Sequence, residues 1–242
     1  MWNMRINKYL ADQNIASRRK ADEMIKAKRV LINGKIAKLG DDVKPTDKVT
    51  TKKDSKEIGN LYFAYNKPRN VLTHSAKGED MDIGKMVKGK TEGAKVFPLG
   101  RLDKDSHGLI ILTNDGRITG KLLNPEENHE KEYIVETERK IDEAFATALE
   151  RGVVIKEEYS KLTYKTKPCL VTLMGQKRFS IVITEGKKRQ VRRMVESLKN
   201  QVKDLTRVRI MNIKVGSLKE NGVRRITGGE LQQFLQELGM KK

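Results

Sequence analysis

A loop of charged residues between two glycines is the first part of this sequence that could carry chemistry. The loop covers residues 100–108, and its central charged members are Arg101, Asp103, Lys104 and Asp105. A cation close to a carboxylate keeps the carboxylate ionised, so Asp103 is available as a nucleophile or as a base. The apolar residues 109–112 follow, and catalytic groups concentrate on loops that a rigid strand presents. The alternative interpretation is a surface turn with local ion pairs.

A second candidate segment places cations at the start of a predicted helix. The apolar stripe that predicts this helix consists of Val191, Met194, Val195 and Leu198. The polar and charged residues around its start are Glu185, Lys187, Lys188, Arg189, Gln190, Arg192 and Arg193. Cations near a helix N-terminus oppose the helix dipole, whereas free backbone amides beside cations suit an incoming phosphate. We therefore interpret the segment as a phosphate-contact surface, with an ordinary exposed helix face as the alternative.

The net charge of the chain points to a polyanionic partner. The 242 residues include 51 Lys and Arg against 32 Asp and Glu, a formal net charge of +19. Repulsion among so many cations destabilises a compact protein unless an anion compensates for it. Neutralising phosphates releases counterions and drives binding, so nucleic acid is the expected partner. A generic basic protein without such a partner is the alternative.

Other features of the composition exclude several classes of protein. The single cysteine, Cys169, cannot form an internal disulfide, which suits a reducing cytoplasm. The first residues lack the apolar core of a signal peptide, and no run of about 18 apolar residues could span a membrane. The histidines, His74, His107 and His129, are scattered and have no cysteine cluster to join. We expect a cytoplasmic monomer without a metal site or a cofactor.

The first fifty residues predict a small unit of two helices and a hairpin. The predicted elements are a helix at 5–14, a second helix with its N-cap at Ser17, and a strand at 30–32 before the turn Asn33-Gly34. Outside the apolar stripes lie Arg18, Arg19, Lys20, Lys26, Lys28 and Arg29. This unit resembles the RNA-binding domain first described in ribosomal protein S-four. The resemblance covers residues 1–50 and implies RNA binding, and the polar residues 51–60 are the predicted linker.

Residues 61–238 predict a second domain, of the α+β class. The predicted strands are 61–65, 109–112, 133–135, 171–173 and 180–183, and one helix buries Phe145, Ala148 and Leu149 before it ends at Gly152. Strand and helix signals mix without a regular alternation. We therefore expect a mainly antiparallel mixed sheet flanked by helices rather than a doubly wound parallel sheet.

Several segments of this domain carry a family resemblance. They are residues 97–103 (FPLGRLD), 108–116 (GLIILTNDG), 131–135 (KEYIV) and 185–194 (EGKKRQVRRM). Together they resemble the RsuA/RluF-type ribosomal RNA pseudouridine synthases. Residues 104–106, 129–133 and 207–212 are most similar to the RluF branch, which modifies large-subunit ribosomal RNA. The resemblance runs nearly end to end, and it implies an enzyme that isomerises a specific uridine to pseudouridine in structured RNA.

The resemblance also implies roles for individual residues. Asp103 would be the catalytic carboxylate, Tyr133 would pack against the uracil, and Arg192 would pair with Asp103 and keep it charged. Whether Asp103 attacks the sugar, attacks the base or removes a ribose proton stays open. The target base must leave its stack, so basic and polar residues are expected to grip the RNA. These are Arg101, Lys104, Arg189, Gln190 and Arg193 in this domain, and Arg18, Arg19 and Lys20 in the first.

Rival hypotheses account for part of the pattern. A noncatalytic RNA-binding or ribosome-assembly protein would have the same charge but would give Asp103 no special role. A hydrolase could use Asp103 and Asp105 as a carboxylate pair, as glycosidases do, but this explains neither the arginines nor the charge. Within the preferred hypothesis, small-subunit ribosomal RNA or tRNA could replace or join the large-subunit substrate.

Overall fold

The N-terminal part of the chain forms the small unit that the sequence predicts. The computed structural model describes residues 3–13, 15–52, 59–74, 81–156 and 162–240. The elements of this unit are β1 (Met4–Arg5), α1 (Ile6–Asp12), α2 (Arg18–Lys26), β2 (Val30–Ile32), β3 (Lys35–Ile36), β4 (Asp42–Val43) and β5 (Val49–Thr51). Thr51, the first residue of the predicted linker, lies in β5 opposite Val30. Most of that linker, residues 53–58, lies outside the described residues.

Local sequence signals explain how this unit folds. The Ser17 hydroxyl accepts a hydrogen bond from the Lys20 amide and caps α2, as predicted. The predicted face of α2 is buried against α1 in a core that includes Ile6, Leu10, Ala21, Met24 and Ile25. The hairpin turn also forms as predicted, because Asn33 (φ 52°) and Gly34 (φ 81°) adopt the left-handed conformation that a two-residue turn requires.

The rest of the chain alternates short helices with the strands of one large sheet and of a separate two-stranded sheet, β10 with β11. Its strands are β6 (Tyr62–Lys67), β7 (Phe97–Leu99), β8 (His107–Thr113), β9 (Lys131–Thr137), β10 (Val154–Lys156), β11 (Thr163–Lys165), β12 (Leu170–Gly175), β13 (Arg178–Ile183), β14 (Val202–Ile210), β15 (Ile213–Lys214) and β16 (Val223–Arg225). Its helices are α3 (Ile83–Met86), α4 (Ile118–Leu123), α5 (Glu143–Glu150), α6 (Gln190–Ser197) and α7 (Gly228–Glu237), with a 3₁₀ turn at Pro125–Glu127. Among the described residues, no helix is long and apolar enough to cross a membrane.

The large sheet is mixed but mainly antiparallel, as the sequence predicts. Its strand order in the described part of the chain is β12-β13-β9-β14-β8-β6-β16, with β7 added to β8 and β15 added to β14. Every one of these pairs is antiparallel except β14 with β8. The strand at the centre, β14, was not among the predicted strands. The expected α+β class is confirmed.

Helices cover the two faces of this sheet. Alternate residues of β6 divide between two cores: Phe63 and Tyr65 face one, and Tyr62 and Ala64 face the other. The first core is closed by α5 and α6, which contribute Leu149, Val191, Met194 and Val195. The second is closed by α4 and α7, which contribute Ile118, Leu122 and Phe234. The sheet is therefore the middle layer, and the loops at its ends can present polar groups.

The backbones of β8 and β14 approach each other closely at Gly108. Gly108 lies directly opposite Arg207, and a Cβ atom built on Gly108 would lie 2.3 Å from the Arg207 carbonyl oxygen. The φ angle of Gly108 is +104°, a conformation that residues with side chains rarely adopt. The glycine that ends the charged loop is therefore required by backbone packing.

Candidate active site

The backbone of the charged loop is held by hydrogen bonds from several directions. Consecutive carbonyl groups from Arg101 to Asp105 each accept one hydrogen bond. The donors, in order along the loop, are Arg207 Nη1 (3.4 Å), Thr73 Oγ1 (2.8 Å), the Ser106 amide (3.1 Å), the Asn70 amide (2.8 Å) and Arg192 Nη2 (3.3 Å). Because these donors come from β14, the segment after β6, α6 and the loop itself, the loop has a defined position relative to the sheet.

The two carboxylates of this loop have different surroundings. Asp105 forms ion pairs with Arg192 (3.1 Å) and Arg189 (3.3 Å). Asp103 is half-buried, and within the described residues its carboxylate has no hydrogen bond or ion pair. The prediction that Arg192 pairs with Asp103 is therefore wrong, since the guanidinium reaches the carboxylate two residues further on.

Arg192 connects α6 to the charged loop. It lies in the first turn of the helix and is only 6% exposed. Besides its ion pair with Asp105, it donates to the Ser106 hydroxyl at 3.1 Å and to the Val202 carbonyl at 3.4 Å. Burial lowers the pKa of Arg192, and the nearby carboxylate of Asp105 opposes this effect. Arg192 is therefore part of the buried support of the loop, on the inner side of α6.

A row of residues crosses the sheet beneath the loop. Tyr133 on β9 pairs with Arg207 on β14, Arg207 with Gly108 on β8, and Gly108 with Lys67 on β6. Residues directly opposite one another in a sheet point to the same face, so Tyr133, Arg207 and Lys67 share one face. Tyr133 is 8% exposed and belongs to the first core. The ring of Tyr133, which is predicted to pack against the uracil, therefore lies on β9, two strands away from β8. β8 is the strand that follows the Asp103 loop.

Buried cations form part of this row. Lys67 is fully buried, and its Nζ donates to the carbonyls of Pro68 (2.9 Å) and Val71 (2.8 Å). Burial lowers the pKa of Lys67 to about 8, against the influence of Asp105 and Asp103. Arg207 is 3% exposed and donates through Nε to the Leu109 carbonyl at 2.7 Å. These side chains give the buried face beneath the loop a positive charge.

Sequence reasoning missed both of these cations. Lys67 stands before Pro68, where the sequence predicts that a strand has already ended, whereas β6 continues through it. Arg207 lies between buried Leu205 and Ile210 in a strand rich in charged residues. Leu205 and Arg207 are two residues apart and face the same side, as in a strand with one buried face. Because one of the two buried residues is charged, the sequence does not show the apolar alternation that predicts a strand.

The predicted RNA-binding residues fall into exposed and buried groups. Arg101 and Lys104 on the loop are exposed, as are Arg18 and Arg19 in α2, while Lys20 and Arg189 are half-buried. Arg193 donates to the carbonyls of Lys156 and Lys188, and its guanidinium lies 6.0 Å from the ring of Tyr164. The exposed side chains are available to RNA, whereas Arg193 already binds neighbouring backbone.

Gln190 does not fit the prediction of direct RNA contact. It is 3% exposed, its Nε2 donates to Glu185 at 2.6 Å, and its Oε1 accepts from the Lys187 amide at 3.0 Å. Both polar groups of the amide are therefore occupied in holding residues 185–189, and the prediction is corrected. Gln190 supports the loop before α6, where Arg189 adopts a left-handed φ of 52°.

Comparison with known proteins identifies the family. The model of the RNA pseudouridylate synthase family matches residues 61–197, and the S4 domain model matches residues 4–49. The chain belongs to the RNA pseudouridylate synthase family. It is 39% identical to a dual-specificity RNA pseudouridine synthase, RluF, of Escherichia coli K12 over 233 residues, which cover 95% of this chain and 77% of that protein.

Further relatives extend the likeness over nearly the whole chain. The ribosomal large subunit pseudouridine synthase B of Bacillus subtilis is 34% identical over 239 residues, and the match covers 95% of each chain. The crystal structure of a pseudouridylate synthase superposes with a TM-score of 0.67 at 27% identity, covering 97% of this chain and 99% of the other. The expected resemblance is confirmed: the protein is an RNA pseudouridine synthase with an N-terminal RNA-binding S4 domain. It isomerises uridine in RNA.

Proposed function

We propose that this enzyme converts a uridine of large-subunit ribosomal RNA to pseudouridine and that Asp103 is its catalytic carboxylate. The observation that supports this role most directly is the contrast within the loop. The backbone around Asp103 is fixed by hydrogen bonds, and its neighbour Asp105 binds two arginines. Among the described residues, the Asp103 carboxylate forms no hydrogen bond or ion pair. A catalytic carboxylate must be both well positioned and free to react.

The reaction breaks the bond between the ribose and the base nitrogen, turns the uracil and joins it again through carbon. Asp103 would react at the sugar or the base, or would remove a ribose proton. The ring of Tyr133 would pack against the uracil, since an aromatic face stacks on any base. Arg192, Arg207 and Lys67 would give the surroundings of Asp103 a positive charge.

RNA must be distorted for a base to reach this site. A uridine inside a helix cannot contact the loop until it leaves its stack, at a cost of a few kcal/mol. The exposed cations Arg101 and Lys104 on the loop would bind the phosphates on either side of the target. In the first domain, Arg18 and Arg19 would add contacts further along the RNA, because both are exposed on α2.

The substrate class is supported by the names of the relatives. The protein of Bacillus subtilis is described as acting on the large ribosomal subunit, and the one of Escherichia coli as having dual specificity. Large-subunit ribosomal RNA is therefore the first candidate, and small-subunit ribosomal RNA or tRNA would be a second substrate. A noncatalytic assembly role has no comparable support.

The catalytic role can be tested with one isosteric substitution. Asp103→Asn keeps the shape of the side chain and removes its charge, so pseudouridine formation should vanish while RNA affinity stays within a few-fold of the wild type. Asp142→Asn is the matched control, because asparagine is as good an N-cap as the aspartate that now caps α5. It should be fully active. Appreciable turnover by Asp103→Asn would disprove the assignment.

The substrate can be tested by incubating the purified enzyme separately with unmodified large-subunit ribosomal RNA, small-subunit ribosomal RNA and tRNA. Pseudouridines are then mapped by chemical labelling and mass spectrometry, with Asp103→Asn as the blank. We expect one or a few sites in large-subunit RNA. Modification confined to tRNA or to small-subunit RNA would contradict the proposed substrate but not the proposed catalyst.

A further inference from the structure

The segment that follows β6 lies directly against the catalytic loop. The Asn70 amide donates to the Lys104 carbonyl, and Thr73 contacts Leu102. The residues on both sides of Asp103 are therefore bound by the same short stretch of chain. Neither contact involves the Asp103 side chain, so the stretch can define the position of the carboxylate without blocking it.

The Thr73 hydroxyl forms two hydrogen bonds with the backbone of one residue, Leu102. Its Oγ1 donates to the Leu102 carbonyl at 2.8 Å and accepts from the Leu102 amide at 3.1 Å. Both backbone polar groups of the residue before Asp103 are thus satisfied by the same atom. Thr73 is 4% exposed and Leu102 is 7% exposed, so water has little access to take over these hydrogen bonds.

We infer that Thr73 is a positioning residue for the reaction, which holds the backbone before Asp103 so that the carboxylate meets the target uridine in a productive geometry. This inference rests on the proposed role of Asp103. Thr73 itself does not touch the substrate. A displacement of about 1 Å at a reacting group can cost about 100-fold in rate, so loss of this hydroxyl should slow the chemical step more than it weakens RNA binding.

A second threonine provides a matched control. Thr113, at the far end of β8, donates through Oγ1 to the Leu61 carbonyl at 2.6 Å and accepts from the Asp115 amide at 2.9 Å. It is fully buried. Replacing either threonine with valine removes the same kind of two-way hydrogen bond in a nearly isosteric way, but only the change at Thr73 affects the backbone beside Asp103.

The test compares Thr73→Val, Thr73→Ser and Thr113→Val in three measurements: the single-turnover rate at saturating RNA, the RNA dissociation constant, and urea unfolding. We expect Thr73→Val to be at least about tenfold slower with unchanged RNA affinity, because misorientation acts on the chemical step. Serine keeps the hydroxyl and should restore the rate to within about threefold, which loss of stability alone would not explain. Thr113→Val should lose comparable stability and keep its rate.

The outcomes separate this inference from the proposed function. If Thr73→Val reacts at the wild-type rate while Asp103→Asn is inactive, Thr73 has no positioning role. Equal slowing in Thr73→Val and Thr113→Val would also overturn the inference, since it would indicate a general effect of destabilisation. An active Asp103→Asn would instead overturn the proposed function and remove the premise of the inference.

Discussion

The Arg192 guanidinium connects α6 to the charged loop. Replacing it with glutamine removes the ion pair with Asp105 and the donors to the Asp105 carbonyl and the Ser106 hydroxyl. Breaking the hydrogen bonds of a buried charged group typically costs about 2 kcal/mol, so both stability and the single-turnover rate should fall. Urea unfolding and pseudouridine formation measure the two effects.

Lys199→Gln is the control for Arg192→Gln. Lys199 is exposed just beyond the same helix, so its substitution removes one positive charge without disturbing the loop. It should be nearly silent in both measurements. Equal and mild losses in the two variants would mean that α6 contributes only general positive charge.

The buried Lys67 predicts a specific dependence of stability on pH. Burial lowers its pKa to about 8 in the folded state, whereas an unfolded chain restores it to about 10.4. Between these values the unfolded state binds more protons, so the Lys67 contribution to the free energy of unfolding rises with pH, by about 1 kcal/mol per pH unit at most. Below about pH 7 both states are almost fully protonated, so the contribution stays constant.

Lys67→Met isolates this effect. The free energies of unfolding of the wild type and the variant are measured in urea at pH 7, 8 and 9. The wild type should gain stability relative to the variant as the pH rises from 8 to 9, and the gain from pH 7 to 8 should be only about a third as large. A difference that does not change with pH would show that the Lys67 pKa is not lowered in the folded protein.

At the scale of elements, the parallel pairing of β8 with β14 requires a residue without a side chain at position 108. Gly108→Ala would place a methyl group against the Arg207 carbonyl and force an alanine into a positive φ. Strain and displaced strands should destabilise the protein by more than about 3 kcal/mol, measured by urea unfolding.

For Gly120→Ala in α4 we expect the opposite effect on stability. A Cβ atom there meets nothing within 4 Å, and the helix interior favours alanine over glycine by up to about 1 kcal/mol. This variant should be slightly more stable than the wild type. If both alanine variants behaved alike, the close approach at Gly108 would not be a constraint on the fold.

Elements with one clear apolar period could be predicted from the sequence, and those with charged residues on a buried face could not. The Ser17 cap, the face of α2 and the Asn33-Gly34 turn are local signals, and each appears in the structure. By contrast, β14 is buried through Leu205 and Arg207 on the same face. The hydrogen bonds of buried Arg207 go to the carbonyls of Leu109 and Arg101, about a hundred residues earlier in the chain. No pattern in the sequence around Arg207 indicates these contacts.

The same limit explains what was predictable about the site. The loop around Asp103 could be predicted because glycines and alternating charges mark it in the sequence. Which carboxylate Arg192 would bind could not be predicted, because Asp103 and Asp105 are two residues apart and only the folded loop distinguishes them. The burial of Gln190 depends on Glu185 and the loop between them, which a helical period does not describe.

At the scale of the whole molecule, binding and chemistry are assigned to different parts of the chain. Deleting residues 1–58 removes the S4 domain and leaves Asp103, Tyr133 and Arg192 in place. RNA binding should weaken, and the slope of log affinity against log salt should become shallower by roughly 0.7–0.9 for each phosphate that the S4 domain binds. Saturating RNA should recover much of the maximal rate, because the deleted interactions are the same in the ground and transition states.

Salt titrations and single-turnover kinetics test this truncation. An unchanged salt slope would show that the first domain does not contact the RNA backbone. A rate that stays near zero in a folded truncated protein would show instead that the S4 domain helps to orient the target in the active site.

The strand order also has a consequence for how the enzyme is made. β14 lies between β8 and β9, although it leaves the ribosome after both of them. Until it is synthesised, the nascent chain can form only two separate half-sheets, each with an unpaired edge that invites contact with other chains. A chain released before Val202 would contain Asp103, Tyr133 and Arg192 but would lack the strand that lies between β8 and β9. One strand made late in synthesis therefore joins the two halves of the sheet.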